Sequence, residues 1–470
     1  MLEPFVRRNL PRFQKLYDRA PAPARHVLTS ARGWILARIR YAPETFELVR
    51  ELHSRESWSR EQIAAHQLFA LRWAIDDAIR NVPFYSDYPR DKFRSTQGLQ
   101  NFPVLDRETV LENQSRLLSR AVAPHQRIGA ATTGTTGTPL QVAYTENFLR
   151  INWAFLLRQW SWAKVPPRTS RITLQGPRVV PAGRREPPYW SFNIPERQIL
   201  LSIFHLSQRT APDYLDFLMR HSGRVLEGFP SVLSILADFV LERGASIPMR
   251  VVFTSGEPLY ASARAMIERA FQARVFDTYG MTEYCGLIQE CERGRMHLAP
   301  EYGYLEILND KGHPAEPGQE GDFVWTSFLN EAMPLIRYRI GDRGRWDDSG
   351  ACPCGRAFPQ VVPTITRESD ILRCPDGRLF SPRALNQLLK QSDSLRFCQF
   401  VYDRADRIFV RAVPRSDQAS RRAAEEIADV REELQELLGE SMQVTARLAH
   451  APIARSGGKL PLIVNESATQ

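Results

Sequence analysis

Hydrophobic and polar positions between residues 199 and 280 alternate between two periodicities. Short apolar runs, typical of buried strands, are separated by stretches whose apolar residues recur at helical spacing. The pattern predicts strands at 199–204, 224–227, 250–254 and 275–277, and helices at 212–219, 231–242 and 262–271. Strands that alternate with helices of this length form βαβ units on a parallel sheet. We therefore predict an α/β fold, with ligands bound at the carboxyl ends of the strands.

The flanking segments show different patterns. Ser59 and Gln62 form a capping box, and the helix that they start should end before Pro83. Further helices are predicted at 106–118, 146–165, 381–389 and 416–438, and further strands at 142–144, 302–308, 321–327, 336–339, 397–402, 408–413 and 442–448. The strand at 336–339 is expected to end on Gly341-Asp342. The chain after residue 370 therefore reads as a small α+β unit of ordinary domain size.

Composition narrows the functional class. The 470-residue chain is 43% hydrophobic and 24% charged, with a net charge of +9. Its arginines are scattered rather than clustered, which favours an anionic small-molecule substrate over nucleic acid. It has no run of apolar residues long enough to span a membrane and no secretory signal at its start. The basic segment 26–43 could lie on a membrane surface or pack on the protein's own body.

Cysteine usage fits a reducing compartment. All six cysteines follow residue 284, which gives no disulfide framework and favours a cytoplasmic protein. Cys291, His297, Cys352 and Cys354 have types and spacing that could close a structural zinc site, with Cys285 as a reserve ligand. Four reduced residues without a metal are an equally compatible interpretation. A zinc ion would tie the loop after Glu283 to the loop after Asp342.

A threonine–glycine stretch is the most distinctive candidate for chemistry. It comprises Thr132, Thr133, Gly134, Thr135, Thr136, Gly137 and Thr138. Backbone N–H groups and hydroxyls in such a loop form a nest for phosphate oxygens. No lysine lies inside it, so it differs from a P-loop, and a lysine that meets the phosphates must come from elsewhere. A flexible linker is the alternative.

Five stretches in order give the chain a family resemblance. They are the threonine–glycine loop, Ser255-Gly256-Glu257, Tyr279-Gly280-Met281-Thr282-Glu283, Tyr338-Arg339-Ile340-Gly341-Asp342 and Gly458-Lys459. Together they resemble adenylate-forming enzymes, which include acyl-CoA synthetases and adenylation domains. Residues 81–85, 204–207 and 227–231 narrow the resemblance to the phenylacetate–CoA ligase and CapK-like branch, over about residues 45–465. This branch often carries a similar Cys…His and Cys-x-Cys pair, which strengthens the zinc hypothesis.

The resemblance implies an architecture and a reaction. A large N-terminal adenylate-forming domain, 46–367, would follow a basic extension, 1–45, and precede a small mobile α+β lid, 368–470. ATP and a carboxylic acid, expected to be an aryl acid, would give an acyl-adenylate and pyrophosphate. CoA would then displace AMP. Phe204, Phe229 and Tyr284 would form apolar walls for the acid.

The resemblance also assigns roles. The loop 132–138 would hold the β- and γ-phosphates, Glu283 would hold Mg²⁺, and Asp342 would accept the ribose hydroxyls. Lys459 would bridge the carboxylate and the α-phosphate, and Arg367 and Asp370 would mark the hinge. The adenine slot would be lined by Gly256, Glu257, Asp277, Tyr279, Gly280, Met281 and Thr282. His205 would border the carboxylate, although a hydrogen-bonded core histidine fits equally well.

Two departures from the family pattern concern the lid. The hinge aspartate is displaced by one position in Arg367-Glu368-Ser369-Asp370, and Lys459 is followed by Leu460-Pro461-Leu462 rather than by a basic pair. The lid could therefore dock differently.

Two rival functions remain. One is a CapK-like enzyme that passes the acyl group to an amine, a sugar or a carrier pantetheine. The other is a non-catalytic scaffold. We expect a monomer or a homodimer in either case.

Overall fold

The computed structural model describes residues 17–465, with gaps at 89–95, 133–139, 177, 182, 208, 365–371, 375–378, 381–384, 386–387, 390–391, 393, 405, 415–419 and 450–461. Its helices are α1 (Ala22–Arg40), α2 (Pro43–Ser54), α3 (Arg60–Asn81), α4 (Arg107–Glu112), α5 (Glu146–Trp162), α6 (Ala211–Arg220), α7 (Pro230–Glu242), α8 (Ala261–Phe271) and α9 (Ser420–Leu438). Short 3₁₀ turns cover Arg55–Ser57, Pro83–Tyr85, Thr96–Asn101 and Gly439–Ser441.

Twenty strands accompany these helices in the described part of the chain. They are β1 (Ile128–Ala131), β2 (Gln141–Tyr144), β3 (Arg171–Leu174), β4 (Trp190–Asn193), β5 (Gln198–Leu201), β6 (Val225–Gly228), β7 (Val251–Ser255), β8 (Val275–Gly280), β9 (Leu287–Glu290), β10 (Met296–Leu298), β11 (Gly303–Leu308), β12 (Gly321–Ser327), β13 (Tyr338–Trp346), β14 (Val361–Pro363), β15 (Leu372–Arg373), β16 (Leu379–Phe380), β17 (Leu395–Arg404), β18 (Arg407–Pro414), β19 (Gln443–Leu448) and β20 (Ile463–Asn465).

An eight-stranded sheet forms the centre of the molecule, in the order β10-β9-β8-β7-β6-β3-β5-β4. The inner strands β5, β3, β6, β7 and β8 are parallel, and the outer strands pair antiparallel. The inner strands read as continuous apolar runs because helices cover both faces of such a sheet. The predicted α/β fold with parallel and mixed sheets is confirmed.

The predicted helices mostly agree with the structure. The capping box of Ser59 and Gln62 starts α3, which ends at Asn81 just before Val82-Pro83. The aromatic stripe of α5 is buried, as expected for core. The helix predicted at 106–118 is wrong beyond Glu112, because the Asn113 side chain donates to the Thr109 carbonyl and closes the last turn. The helix predicted at 381–389 falls mostly outside the described residues.

A second, antiparallel sheet of order β11-β12-β13-β14 follows the first sheet in the sequence. Strand β13 runs from Tyr338 to Trp346, so the prediction that it ends on Gly341-Asp342 is wrong. The pairing of β12 with β13 shifts register here, and Gly341 has a φ of 92°. A bulge with glycine in the left-handed region lets the strand continue while it turns Asp342 outward.

The C-terminal unit is a mixed sheet of order β19-β18-β17-β20, with α9 packed on it. Helix α9 buries Ile427, Val430, Leu434 and Leu437, the apolar face predicted from sequence. Arg178, in the segment before β4, donates to Glu433 on α9 at 2.5 Å and to Asp18 at 2.7 Å. One guanidinium therefore links the segment before α1, the segment before β4 and helix α9.

Helix α1 packs on β4, the edge strand of the central sheet. Ser30 donates to the Phe192 carbonyl at 3.1 Å, while the Phe192 N–H donates to His26 Nδ1 at 3.4 Å. Gly33 is needed at the crossing, because a Cβ there would lie 1.6 Å from the Asn193 side chain. Of the two interpretations of segment 26–43, packing on the protein's own body is confirmed for this face.

A buried ion pair gives a stability prediction. Arg158 on α5 donates to Glu301 at 2.8 Å, and the two side chains are 0% and 2% exposed. We expect Glu301→Gln to lower the free energy of unfolding by about 3–5 kcal/mol, because the Arg158 charge stays buried without its counter-charge. The urea midpoint measures the change. Glu425→Gln, in a pair whose side chains are 95% and 70% exposed, should have almost no effect. Equal midpoints for the two variants would contradict this account.

Candidate active site

The carboxyl ends of the parallel strands β6, β7 and β8 meet at one edge of the central sheet. Thr254 and Asp277 are register partners there, and the Thr254 hydroxyl donates to the Asp277 carboxylate at 2.6 Å. Burial raises the pKa of Asp277 to about 6, and the nearby Glu290 carboxylate adds to the rise. Asp277 thus lies where sheets of this type bind their ligands.

The ends of the threonine–glycine loop are held together by Thr132 and Leu140. The Thr132 N–H donates to the Leu140 carbonyl at 2.9 Å, and the Leu140 N–H donates to the Thr132 hydroxyl at 2.9 Å. Strands β1 and β2 continue this antiparallel pairing outward from the loop. We call β1, β2 and the Thr132–Leu140 pair the loop stem, because they hold the two ends of the loop together. Thr132 is buried in it.

Arg107 contacts this stem, and Glu283 lies close enough to Arg107 to feel its charge. Both terminal nitrogens of Arg107, in the first turn of α4, lie 3.4 Å from the Thr132 hydroxyl. Glu283 is 5% exposed and accepts from the Tyr338 hydroxyl at 3.2 Å. Burial raises the pKa of Glu283, and the Arg107 charge and the Tyr338 hydrogen bond partly offset that rise. A carboxylate, a guanidinium and the loop stem thus meet in one place.

Tyr279 and Asp342 come together from different sheets. The Tyr279 hydroxyl donates to Asp342 Oδ2 at 2.7 Å, across the junction of β8 and the β13 bulge. Burial and the Asp342 carboxylate raise the pKa of Tyr279, so its phenol is neutral and can donate. The ring lies nearly parallel to Trp325, at 6.4 Å between centroids. Tyr279, Asp342 and Glu283, predicted as site residues from separate segments, are therefore neighbours.

The remaining predicted residues of the adenine slot lie at the same strand ends. Gly256 follows β7 with a φ of 81°, and the Glu257 carboxylate accepts from the Ser231 N–H at 3.1 Å in the first turn of α7. Glu257 therefore has a second role as a helix cap, which the sequence did not indicate. Gly280 ends β8, and Met281 and Thr282 begin the turn that presents Glu283.

His205 has the geometry of a hydrogen-bonded core histidine. The ring is buried, its Nε2 lies 3.1 Å from the Pro181 carbonyl and its Nδ1 lies 2.7 Å from the Ser202 hydroxyl. Because the carbonyl can only accept, Nε2 carries the proton and Nδ1 accepts from Ser202. Neither nitrogen is left free to act as a base in this arrangement. The core interpretation is the one that this geometry supports, and the role beside the carboxylate stays a prediction.

Several predicted residues fall outside the described part of the chain. These are Thr133, Gly134, Thr135, Thr136, Gly137, Thr138, Arg367, Asp370 and Lys459. Their roles stay predictions. The predicted domain boundary near residue 367 falls within 365–371, outside the described residues, and also stays a prediction.

The four predicted metal ligands form a cluster between the β9–β10 hairpin and the segment that joins β13 to β14. The ligand atoms of Cys291, His297, Cys352 and Cys354 all lie within 4.8 Å of one another. Cys291 Sγ is 3.7 Å from Cys352 Sγ, and Cys354 Sγ is 3.4 Å from His297 Nε2. His297 Nδ1 donates to the Phe358 carbonyl at 3.1 Å, which leaves Nε2 unprotonated and directed into the cluster. The reserve ligand Cys285 lies apart, with its thiol 3.5 Å from the Glu283 carbonyl.

Two site residues were missed by the sequence reasoning. In the sequence, Arg107 resembles any other first residue of a helix. The one feature that sets it apart is its position directly after the cap residue Asp106. Gln159, on the aromatic helix α5, donates to the Asp277 carbonyl at 2.8 Å and accepts from the Thr278 hydroxyl at 2.6 Å. It holds the end of β8 from the opposite face. The available clue was a polar residue within an aromatic stretch, next to Trp160.

Fold and site together resemble one class of enzyme. The parallel sheet, the loop stem and the Tyr279–Asp342 and Glu283 groups are the arrangement expected of an adenylate-forming enzyme. The AMP-binding enzyme family matches residues 131–327. A 2-hydroxyisobutyryl-CoA ligase, solved in complex with 2-HIB-AMP and CoA, shares the fold with a TM-score of 0.56 and 18% identity, covering 88% of this chain and 92% of its own. The resemblance to adenylate-forming enzymes is thereby confirmed.

Curated proteins of two groups are similar to the chain. It is 21% identical to protein CapK of Staphylococcus aureus over 412 residues, which is 86% of this chain and 88% of CapK. It is 25% identical to a phenylacetate–coenzyme A ligase of Thermus thermophilus over 332 residues, 67% of this chain and 73% of that protein. The chain is thus a relative of both groups, as the sequence motifs predicted.

Proposed function

We propose that this protein is an ATP-dependent carboxylic acid–CoA ligase that forms an acyl-adenylate. The observation that carries the proposal is the meeting of Thr132, Arg107, Glu283, Tyr279 and Asp342 at the carboxyl ends of the parallel strands. These groups supply what adenylation needs, namely a cradle and positive charge for phosphates and oxygen ligands for a cation. Relatives named phenylacetate–CoA ligase support the same reaction.

The first half-reaction assigns a part to each group. A carboxylate oxygen attacks the α-phosphorus of ATP, the bond to the β-phosphate oxygen breaks, and pyrophosphate leaves. The loop and Arg107 would hold the β- and γ-phosphates and neutralise the departing charge. Glu283 would hold Mg²⁺, an ion that prefers carboxylate oxygens and supplies charge neutralisation when bound. Asp342, which accepts from the Tyr279 hydroxyl at the mouth of the site, would accept from the ribose hydroxyls.

The second half-reaction replaces AMP with a thiol. The sulfur of CoA attacks the acyl carbon, the bond to the AMP phosphate oxygen breaks, and the thioester and AMP form. Lys459 would act in the first step by bridging the carboxylate and the α-phosphate.

The acid we propose is an aryl acid. Its support is the relatives' name and an aromatic group beside Glu283, where Tyr284 packs on Tyr144 and Phe148 with centroids 5.2 and 4.8 Å away.

We consider a second class of acyl acceptor because of the CapK relative. The match to CapK covers more of this chain than the match to the phenylacetate–CoA ligase of Thermus thermophilus. In that alternative the same adenylate passes to an amine, a sugar or a carrier pantetheine. The adenylation machinery is shared by both proposals. Only the requirement for CoA separates them.

The deciding experiment measures pyrophosphate and AMP release with Mg-ATP and a panel of aryl, aliphatic and amino acids. We expect pyrophosphate release with aryl acids and AMP release that depends on CoA. Pyrophosphate release without CoA-dependent AMP release would favour the CapK-like alternative. No release with any acid, together with no ATP binding by calorimetry, would overturn the enzyme proposal in favour of a scaffold.

We also propose that Cys291, His297, Cys352 and Cys354 hold one structural zinc ion. Zinc–sulfur bonds of about 2.3 Å in a tetrahedron place ligand atoms roughly 3.5–3.8 Å apart. In the cluster, Cys291 Sγ lies 3.7 Å from Cys352 Sγ, and Cys354 Sγ lies 3.4 Å from His297 Nε2. The hydrogen bond from His297 Nδ1 to the Phe358 carbonyl fixes the ring orientation and the tautomer, as carbonyl partners of zinc-bound histidines do. The ion would join the hairpin of β9 and β10 to the segment between β13 and β14.

Arg107 gives a test of the phosphate site. We expect Arg107→Ala to lower kcat/KM for ATP in pyrophosphate exchange by about a hundredfold, because leaving-group charge loses a partner. Arg107→Lys should recover part of the rate, since it restores charge but not the planar fork. Arg220→Ala, which removes an exposed arginine from the end of α6, is the matched control and should leave the rate unchanged. Equal exchange rates for the Arg107→Ala enzyme and the control would show that Arg107 takes no part in holding the phosphates.

A further inference from the structure

Helix α1 has an outward face with several exposed apolar side chains among the residues that the structure describes. Val27 is 68%, Leu28 40% and Trp34 49% exposed. Pro23 and Ala31 are exposed on the same side, and Arg38 ends the stripe with its guanidinium 4.5 Å from the centre of the Trp34 ring. An exposed helix face of this composition, with one basic residue stacked on a tryptophan, differs from an ordinary solvated face.

The helix is held rigidly in this orientation. Its other face buries Gly33 and Ala37 and donates and accepts hydrogen bonds along β4. Arg40 at its end donates to the buried Glu196 at 2.8 Å. The apolar stripe therefore cannot turn inward, and its exposure is a fixed property of the fold.

Charge indicates what the stripe contacts. Residues 1–45 contain nine basic and three acidic residues, a net charge of +6 out of +9 for the whole chain. In the described part of this segment, Arg19 and Arg38 are exposed. Basic residues around an apolar helix face complement an anionic lipid surface, where each basic group contributes about 1 kcal/mol.

A second exposed aromatic pair lacks that charge. Phe69 and Trp73 on α3 are 69% and 54% exposed. Helix α3 carries three basic and three acidic residues, so its net charge is zero. It therefore lacks the complementarity that distinguishes α1, and it supplies a matched control.

We propose that the α1 face, Val27, Leu28, Ala31, Trp34 and Arg38, docks this protein on the surface of an anionic lipid bilayer. The contact is peripheral, because no helix in the described residues is long and apolar enough to cross a membrane. A single helix face of this size offers at most a few hundred Å², less than the roughly 800 Å² that each partner buries in a standard protein interface. A bilayer needs no such area, since an amphipathic helix buries its apolar face among the headgroups. The proposal does not depend on the reaction that the active site performs.

Vesicle sedimentation with the full chain tests this inference. We expect binding to mixed phosphatidylcholine–phosphatidylglycerol vesicles that falls with added salt, and little binding to phosphatidylcholine alone. Val27→Ser with Trp34→Ser should weaken binding at least about tenfold, because two apolar side chains lose their burial in lipid. Arg38→Gln should weaken it about fivefold. All three side chains are exposed, so thermal unfolding should be unchanged.

The control is Phe69→Ser with Trp73→Ser, which removes a comparable exposed apolar area from α3. Vesicle binding that survives in this control and is lost in the α1 variant supports the proposal. Absence of binding by the unaltered chain, or equal binding by the two double variants, overturns it. A chain that dimerises through α1, shown by a change from dimer to monomer in the α1 variant without any vesicle binding, also overturns it.

Discussion

Glu283→Gln should reduce acid-dependent pyrophosphate exchange by about a thousandfold, because the substitution removes the charge that would hold Mg²⁺ against the phosphates. Glu283 is buried between Tyr338 and the Arg107 side of the loop stem. Glutamine keeps the shape and one acceptor oxygen, so the fold should survive. An exchange rate within a few-fold of the unaltered enzyme would show that the cation is held elsewhere.

Tyr338→Phe is the matched control for this prediction. It removes the hydrogen bond to Glu283 and keeps the carboxylate, so we expect a loss of only a few-fold. The pH dependence gives a second readout. Burial raises the pKa of Glu283 above its usual range, so its carboxylate is protonated, and adenylation declines, at a higher pH than an exposed glutamate would give. Tyr338→Phe removes a bond that favours the charged form, and it should move that decline to still higher pH.

Cys352→Ser should release one zinc ion per chain and lower the free energy of unfolding by several kcal/mol. The reason is that zinc binds the folded ligand set and not the unfolded chain, so its binding free energy adds to stability. The cluster joins two sheet regions that also meet through the His297–Gln360 backbone bridge and the hydrogen bond from the Leu298 N–H to the Pro359 carbonyl. Elemental analysis and urea unfolding, with and without a chelator, measure both effects.

Cys285→Ala is the control for the zinc site. Cys285 is buried in the same region and its thiol lies outside the cluster. We expect this variant to keep its zinc and to lose only the small packing contribution of one sulfur atom. Purified protein that contains no zinc, with unfolding insensitive to both chelator and Cys352→Ser, would leave the four residues as an unmetallated cluster.

The sequence was most informative where local pattern and chemistry coincide. The parallel strands and the capped helix α3 follow from periodicity and a capping box, and the strand after the threonine–glycine loop was predicted at 142–144, although its partner β1 was not. Cys291, His297, Cys352 and Cys354 were grouped by ligand type and by family resemblance, and they do meet in space. Tyr279 and Asp342 come from separate segments, and they too are neighbours in the structure.

What the sequence could not give depends on tertiary context. Whether α4 ends at Glu112 depends on one side-chain contact from Asn113, and propensity alone extends the helix. The outward turn of Asp342 depends on the register shift between β12 and β13, which no single strand encodes. Arg107 reaches Thr132 only because the segment before the loop folds back on the stem. Such contacts between distant segments have no local signature.

The packing of α1 on β4 has a consequence for the whole sheet. Strand β4 is the last strand of the eight, and its outward backbone groups at Phe192 and Ile194 are bonded to His26 and Ser30 rather than to another strand. A bare edge of this kind recruits strands from other chains and leads to aggregation. Helix α1 therefore protects the protein against aggregation at this sheet edge. A variant that begins at residue 46, and so lacks α1, would carry an open edge at β4.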